Sequence, residues 1–188
     1  AQSRSYDPPA LMGGYELVEK AGLMGNAERV ASEAFEKLNA EKSPNGELDL
    51  ILMPSHLWLT IHESIGHATE LDRVLGMEES LSGGSFATLD KLGKLKYGSN
   101  KLNIRALNTH PAFLASIGYD DEGVKCQDWD IIKKGTLVGY STNREVVGTM
   151  NVDRSHGCSR ADAWSSIPIV RMANICMMPG KDRITLDD

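Results

Sequence analysis

Apolar residues recur at helical spacing in two places in the first half of the chain. Residues 26–42 show this period after a capping Asn26, and residues 55–76 show it again after Ser55. Between these segments, residues 43–46 (Ser-Pro-Asn-Gly) predict a turn, and the apolar run 48–53 predicts a short buried strand. The pattern therefore predicts two helices separated by one strand.

Beyond Gly76 the apolar stretches become shorter, and glycine, serine and asparagine interrupt them. This pattern is typical of strands joined by loops, and Lys134-Gly135 predicts the turn of a hairpin. The predicted strands are 101–107, 113–119, 124–132 and 136–142. We expect an α+β fold in which a helical front part, residues 1–80, precedes a β-rich and mostly antiparallel part, residues 81–188.

Composition narrows the classes of function. With 188 residues, 41% of them hydrophobic and 24% charged, the chain has the composition of an ordinary globular protein. A net charge of −6 argues against nucleic acid as a partner, because phosphate binding needs a basic surface. No apolar run has the length of a membrane span, and the first residues lack a signal-peptide pattern. Three widely spaced cysteines do not form a disulfide framework, so we expect a cytoplasmic protein with no membrane partner.

The residues suited to chemistry are concentrated in the second predicted helix, in the hexapeptide His-Glu-Ser-Ile-Gly-His at residues 62–67. Neutral imidazoles are good zinc ligands, and a neighbouring carboxylate is suited to take a proton from a metal-activated water. His62 and His67 are therefore candidate metal ligands, and Glu63 is the candidate general base. The alternative is that both histidines are ordinary, partly buried residues of an amphipathic helix and Glu63 is only solvated.

The spacing of the two histidines differs from the four residues of the usual metalloprotease motif. Five residues of an ideal helix turn the side-chain direction by about 500°, which leaves the two rings roughly 140° apart. A one-residue π-bulge would return both rings to one face, and Gly66 would ease the backbone there. We therefore predict a π-helical turn between His62 and His67.

Glu70 and Asp72 extend the motif to His-Glu-x-x-Gly-His-x-x-Glu-x-Asp. Three further segments follow in order: 119–124 (Tyr-Asp-Asp-Glu-Gly-Val), 131–140 (Ile-Ile-Lys-Lys-Gly-Thr-Leu-Val-Gly-Tyr) and 168–174 (Pro-Ile-Val-Arg-Met-Ala-Asn). Together they resemble the TldD/PmbA family of metallopeptidases, also named modulators of DNA gyrase, over about residues 28–180.

The resemblance implies a cytoplasmic zinc peptidase that cleaves unfolded peptides or small proteins by metal-activated water, in peptide maturation or degradation. It also implies a dimer, formed with a second copy or with a paralogous PmbA/TldE-type subunit that lacks the histidine motif. Because this chain carries the motif, it corresponds to the catalytic TldD-type subunit.

In the family, the third zinc ligand is a cysteine well downstream of the Arg-Met-x-Asn motif, and the chain stops at Asp188. Cys126, Cys158 and Cys176 do not match that position and are expected to be packing residues. We interpret the chain as a central fragment whose own zinc binding is open. Glu70 is the candidate to orient a ligating histidine, and a role as substitute ligand is the alternative.

Two other functions stay open at this stage. A dipeptidyl-peptidase III-like zinc peptidase has the same histidine spacing, with Glu78 or Glu79 as the nearest candidate for a third ligand. An inactive assembly or binding module of the same family would keep the fold without catalysis.

The remaining polar residues are interpreted as structural. The acidic run 120–122 is ordinary turn chemistry. Asn174 either approaches the substrate backbone or belongs to a turn. His56, His110 and His156 lack metal-ligand spacing and are expected to be structural or solvated.

Overall fold

The computed structural model describes residues 1–181, which belong to two compact units, Ala1–Leu57 and Trp58–Asp188. The division of the chain after residue 80 stays a prediction, and residues 182–188 of the predicted second part lie outside the described residues. Within residues 1–181, no helix combines the length and the apolarity that crossing a bilayer requires.

The first unit contains helices α1 (Tyr15–Ala21) and α2 (Leu23–Asn39). Gly22 separates them with a φ of 58°, a left-handed conformation that glycine adopts without steric cost. Asn26 does not cap α2 as predicted, because the helix begins one turn earlier and the Asn26 amide donates to the Gly22 carbonyl at 3.0 Å.

The strand predicted at residues 48–53 is wrong. These residues have no regular structure and are exposed. A strand needs a neighbouring strand to pair its backbone groups, and residues 1–57 contain none. The apolar run alone was therefore insufficient evidence for a strand.

One continuous helix was predicted for residues 55–76, and the structure shows a series of shorter segments. Their bounds are α3 (Pro54–Ile61), a π-helical turn (His62–Gly66), a 3₁₀ turn (His67–Thr69), α4 (Leu71–Val74) and α5 (Glu79–Ser82). The helical backbone that runs from α3 through the 3₁₀ turn ends at Glu70, because the Glu70 backbone is extended, with a ψ of 117°. There the chain bridges to Ser141, whose N–H donates to the Thr69 carbonyl at 2.8 Å.

A four-stranded antiparallel sheet lies at the centre of the second unit. Its strands are β1 (Ile104–Leu107), β2 (Asp128–Lys133), β3 (Thr136–Leu137) and β6 (Ile175–Met177). They pair in the order β3-β2-β1-β6. A separate antiparallel pair joins β4 (Ser159–Arg160) to β5 (Ile169–Val170). These strands and the helices confirm the α+β class.

The predicted hairpin is confirmed between β2 and β3. Lys134 and Gly135 form its turn with φ values of 48° and 76°, as a two-residue turn with left-handed backbone requires. The strand predicted at residues 113–119 is wrong, because the side chain of Asn174 provides the hydrogen bonds there. It accepts from the Ala115 N–H at 2.9 Å and donates to the Ser116 hydroxyl at 3.1 Å.

The core of the second unit joins the sheet to the helical segments. Its fully buried side chains include Leu71, Ile104, Ile131, Leu137 and Tyr140. Cys126 and Cys158 are buried as well, which confirms them as packing residues, and Cys176 is half-buried. Burial raises the pKa of the Cys158 thiol to about 12, so this thiol is protonated and unreactive at neutral pH.

His156 is a structural histidine, as expected. Its ring stacks on Trp129 with a centroid distance of 4.3 Å, and Nδ1 lies 2.9 Å from the Tyr140 carbonyl oxygen. Burial lowers the pKa of His156, because the low-polarity surroundings disfavour the imidazolium. The folded protein therefore binds a proton at this site less readily than the unfolded chain.

We expect His156 to make the fold less stable in weak acid. The free energy of unfolding should fall as the pH drops through about 6.5, the unfolded-state pKa of histidine, because only the unfolded chain gains the proton there. In His156→Gln this fall should be smaller. Urea midpoints of zinc-free protein at pH 7.5 and 5.5 measure the difference, with the exposed His110→Gln as control. An equal fall in wild type and His156→Gln would contradict the prediction.

Candidate metal centre

The predicted π-helical turn is confirmed. The His67 backbone N–H donates to the His62 carbonyl five residues earlier, which is the hydrogen bond of a π-helix. The extra residue brings the two rings together, with centroids 4.6 Å apart and planes at 82°. Sequence spacing alone would have separated these side chains, so the turn is the feature that creates the pair.

Two contacts stabilise this turn. The Thr69 hydroxyl donates to the Ile65 carbonyl at 2.7 Å and lies 3.2 Å from the Gly66 carbonyl, so it adds a side-chain hydrogen bond where π-helical geometry changes to 3₁₀ geometry. A Cβ added to Gly66 would lie 1.9 Å from the Met172 sulfur. With φ −52° and ψ −68°, Gly66 has an ordinary helical backbone. Space therefore favours glycine there, because an added methyl group would force Met172 to move, and the backbone conformation itself does not need glycine.

Glu70 orients the ring of His67. The His67 Nδ1 lies 2.9 Å from Glu70 Oε2, and the Glu70 side chain is only 2% exposed. Since a carboxylate only accepts hydrogen bonds, this contact assigns the proton to Nδ1 and leaves Nε2 of His67 with a free lone pair. Histidine ligands of metals are commonly held in this way.

Glu63 lies beside the histidine pair and is exposed. Its Oε1 is 3.9 Å from Nε2 of His62, too far for a direct hydrogen bond. The carboxylate therefore has free lone pairs on the open side of the turn. In this position it is available to accept a proton from a molecule bound next to the histidines.

The donor set suits zinc in part. With nitrogen–zinc distances of about 2.0–2.1 Å, two imidazoles on one tetrahedral zinc have centroids roughly 5 Å apart, close to the spacing observed here. Within residues 1–181, no three His, Cys, Asp or Glu side chains are placed to share a metal ion. Glu78 and Glu79 at the start of α5 therefore do not complete the site within this region, as a dipeptidyl-peptidase III-like site would require.

Asp72 joins the histidine-bearing segment to β5. Its carboxylate accepts from the Arg73 N–H at 2.8 Å and from the Val170 N–H at 3.0 Å. Burial raises the pKa of Asp72, and these two backbone hydrogen bonds oppose the shift. Together with the contact between Gly66 and Met172, this bond brings the segment 168–174 against the candidate metal site.

Asp120 and Asn174 make structural hydrogen bonds. Asp120 is buried and accepts from the Glu122, Val124 and Ser159 N–H groups at 2.8–3.0 Å. This confirms the predicted turn at 120–122. Asn174 donates to the Leu107 carbonyl at 3.0 Å, so its amide ties a turn to the sheet.

Sequence analysis missed two contributors to the site, Arg73 and Met172. Arg73 Nη2 forms an ion pair with Glu70 Oε2 at 3.2 Å, and their three-residue spacing within the helix predicted for residues 55–76 is a signal that would have suggested this pair. Met172 lies more than a hundred residues from Gly66 in the chain, and no local signal predicts their contact.

Comparison with known proteins yields a family match over most of the chain. The sequence model of a family described as the PmbA/TldA metallopeptidase C-terminal domain matches residues 45–187. A metalloprotease of Methanocaldococcus jannaschii is 34% identical over 167 residues, which are 89% of this chain and 35% of that protein. A protein of Saccharolobus solfataricus named zinc metalloprotease TldD homolog is 32% identical over 137 residues, covering 72% of this chain and 28% of its own length.

Solved structures show the same fold. A Thermotoga maritima structure described as a modulator of a DNA gyrase has a TM-score of 0.63 and 24% identity, covering 81% of this chain and 32% of that one. TldE from Thermococcus kodakarensis has a TM-score of 0.61 and 21% identity, and the match covers 83% of this chain and 34% of the TldE chain. The chain thus spans about a third of the length of these relatives.

Proposed function

The chain belongs to the PmbA/TldD metallopeptidase family, and from this premise we propose that it carries two zinc ligands and the general base of a peptidase. His62 and His67 are the proposed ligands, and Glu63 is the proposed base. The observation that carries the proposal is the π-helical turn, which places the two imidazoles 4.6 Å apart despite their five-residue spacing.

The proposed zinc site uses Nε2 of His67, whose Nδ1 is engaged by Glu70, together with a nitrogen of His62. When bound, zinc supplies Lewis acidity that polarises a peptide carbonyl and lowers the pKa of water. A third ligand is required, and the family resemblance indicates a cysteine that is not among residues 1–181. The relative named zinc metalloprotease TldD homolog supports zinc as the metal.

Glu63 is proposed to move the proton of the reaction. Its exposed carboxylate accepts a proton from the attacking water and delivers it to the nitrogen of the leaving amine. The Glu70 carboxylate is unsuited to this task because it is buried and already bonded to His67 and Arg73. The two acids therefore have separate roles: Glu63 transfers the proton, and Glu70 positions a histidine.

The proposed substrates are unfolded peptides or small proteins, cleaved in peptide maturation or degradation in the cytoplasm. The open, exposed position of Glu63 supports access for an extended chain. A dimer with a second copy or with a TldE-type subunit is proposed as the working form. The fold shared with TldE supports the paralogous pairing.

Zinc content tests the metal site. We expect the complete encoded protein to contain about one zinc per chain and His62→Ala to lose it, because two nitrogen ligands and one other are the minimum of a catalytic site. Mass spectrometry of the purified proteins measures this, and the exposed His110→Ala serves as control.

The same measurement on residues 1–188 locates the third ligand. Stoichiometric zinc in the complete protein and little in residues 1–188 would support a ligand outside this segment. Full zinc retention in His62→Ala would refute the proposed site. Zinc in neither protein would instead favour an assembly or binding role within the family.

A further inference from the structure

Arg73 lies at the end of a chain of contacts that begins at His67. Its Nη2 forms an ion pair with Glu70 Oε2 at 3.2 Å, and His67 Nδ1 donates a hydrogen bond to the same oxygen at 2.9 Å. We propose that Arg73 is a positioning residue for zinc binding, which holds the Glu70 carboxylate so that Glu70 fixes the ring of His67. The inference rests on the proposed function, in which His67 is a zinc ligand.

The burial of Glu70 makes a cation necessary. The side chain is 2% exposed, so water does not stabilise its charge, and a buried carboxylate requires a charged partner and hydrogen bonds. Among residues 1–181, no lysine or arginine other than Arg73 has its side chain within 4 Å of this carboxylate. Because the Arg73 side chain is itself only 14% exposed, solvent screens the pair weakly.

Two buried atoms without hydrogen-bond partners indicate the geometry that the Arg73–Glu70 pair favours. Among the described residues, neither Glu70 Oε1, an acceptor, nor Arg73 Nε, a donor, has a hydrogen-bond partner. An arginine in the two-pronged arrangement with a carboxylate pairs Nε with one oxygen and Nη2 with the other. That arrangement, which Arg73 Nε does not form in this structure, would satisfy both atoms and would stop the carboxylate from rotating away from His67. Lysine, with a single nitrogen, cannot form it.

The backbone of Arg73 is held in place as well. Its N–H donates to Asp72 Oδ1 at 2.8 Å, and Asp72 Oδ2 accepts from the Val170 N–H at 3.0 Å. The base of the arginine side chain is therefore tied to β5. This anchoring allows Arg73 to position Glu70 instead of following its movements.

Arg73→Met tests the inference in the complete encoded protein, since it removes the charge and the donors while keeping most of the apolar stem. We expect zinc affinity to fall about 10-fold, the lower end of the range for residues that orient metal ligands. In metal-free protein labelled with ¹⁵N at histidine, we also expect His67 to lose its preference for the tautomer with the proton on Nδ1. This second measurement does not depend on activity or on bound metal.

The matched control is Arg105→Met, which removes another arginine–carboxylate pair, Arg105 Nε with Asp130 Oδ1 at 2.9 Å, on the sheet. Zinc affinity and the His67 tautomer should be unchanged in this variant. Arg73→Lys keeps the charge but cannot form a two-pronged contact, so both measurements should be intermediate. If Arg73→Met does not fold, Arg73→Lys carries the test.

Wild-type zinc affinity and an unchanged His67 tautomer in the Arg73 variants would overturn the inference while the proposed function stands. Failure of the proposed function gives a different result, in which His67→Ala leaves zinc affinity unchanged. That outcome would remove the premise and overturn both proposals.

Discussion

Replacing Glu63 with glutamine is expected to slow peptide cleavage by the complete encoded protein about 10²- to 10⁴-fold while its zinc content stays the same. Glutamine preserves the size and polarity of the side chain but does not accept a proton from water. Because Glu63 lies 3.9 Å from His62 and is not a proposed ligand, its neutralisation should leave metal binding intact. Mass spectrometry of a mixture of unstructured peptides measures cleavage, and zinc is determined on the same sample.

The matched control is Glu79→Gln, which changes an exposed glutamate in α5. This variant protein should cleave peptides at the wild-type rate. Full turnover by Glu63→Gln would exclude Glu63 as the base. Loss of zinc from this variant would instead indicate that Glu63 contributes to holding the metal.

Gly66→Ala is expected to destabilise the second unit by about 1–3 kcal/mol, the usual cost of forcing an extra methyl group into a packed site. The added Cβ would lie 1.9 Å from the Met172 sulfur and 3.1 Å from Met172 Cγ, so the segments must separate or methionine must move. Either response shifts the turn that pairs His62 with His67. We therefore expect zinc affinity to fall about 100-fold, the upper end of the range for disturbed ligand positions. Urea midpoints and zinc titrations measure the two effects.

Two variants identify the cause. Gly25→Ala in α2 is the matched helical control, because nothing lies within 4 Å of its added Cβ, and it should be neutral or slightly stabilising. Adding Met172→Ala to Gly66→Ala removes the clashing atoms, so the double variant should regain part of the lost zinc affinity. An unaffected Gly66→Ala would show that the site tolerates the methyl group, and a double variant with no recovery would assign the effect to the helix itself.

The structure connects two of the later motifs to the histidine-bearing segment. Ser141, just after the segment 131–140, donates to Thr69 at the end of the histidine-bearing turn. Segment 168–174 reaches the same turn through Asp72 and Met172. Ser141 and segment 168–174 therefore contribute contacts next to the turn, although only residues 62–67 supply the proposed chemistry.

The site was predictable to the extent that its signal is local. Two histidines and a glutamate within six residues indicate metal chemistry directly. Their five-residue spacing conflicts with helical geometry, and that conflict predicts a π-helical turn, which the structure confirms. The Lys134-Gly135 hairpin was predictable for the same reason, because two adjacent left-handed residues determine the turn.

Longer-range features were not predictable from local patterns. The apolar run 48–53 has the composition of a strand, yet the strand is absent because the first unit offers it no partner. Residues 113–119 also resemble a strand, and the side chain of Asn174, which comes much later in the chain, bonds them into turns instead. Strands of two or three residues, such as β4 to β6, are too short to show alternation.

By itself, the sequence determined the α+β class, the residues capable of metal chemistry and the bend that brings them together, since propensity and spacing act over neighbouring residues. Only the tertiary structure decided that Met172 packs against the glycine at position 66, that Asp72 binds β5, and that Arg73 and His67 share Glu70 Oε2. The first two of these contacts join residues about a hundred positions apart, and the third depends on the burial of Glu70. Both conditions arise from packing, which the order of residues along one segment does not specify.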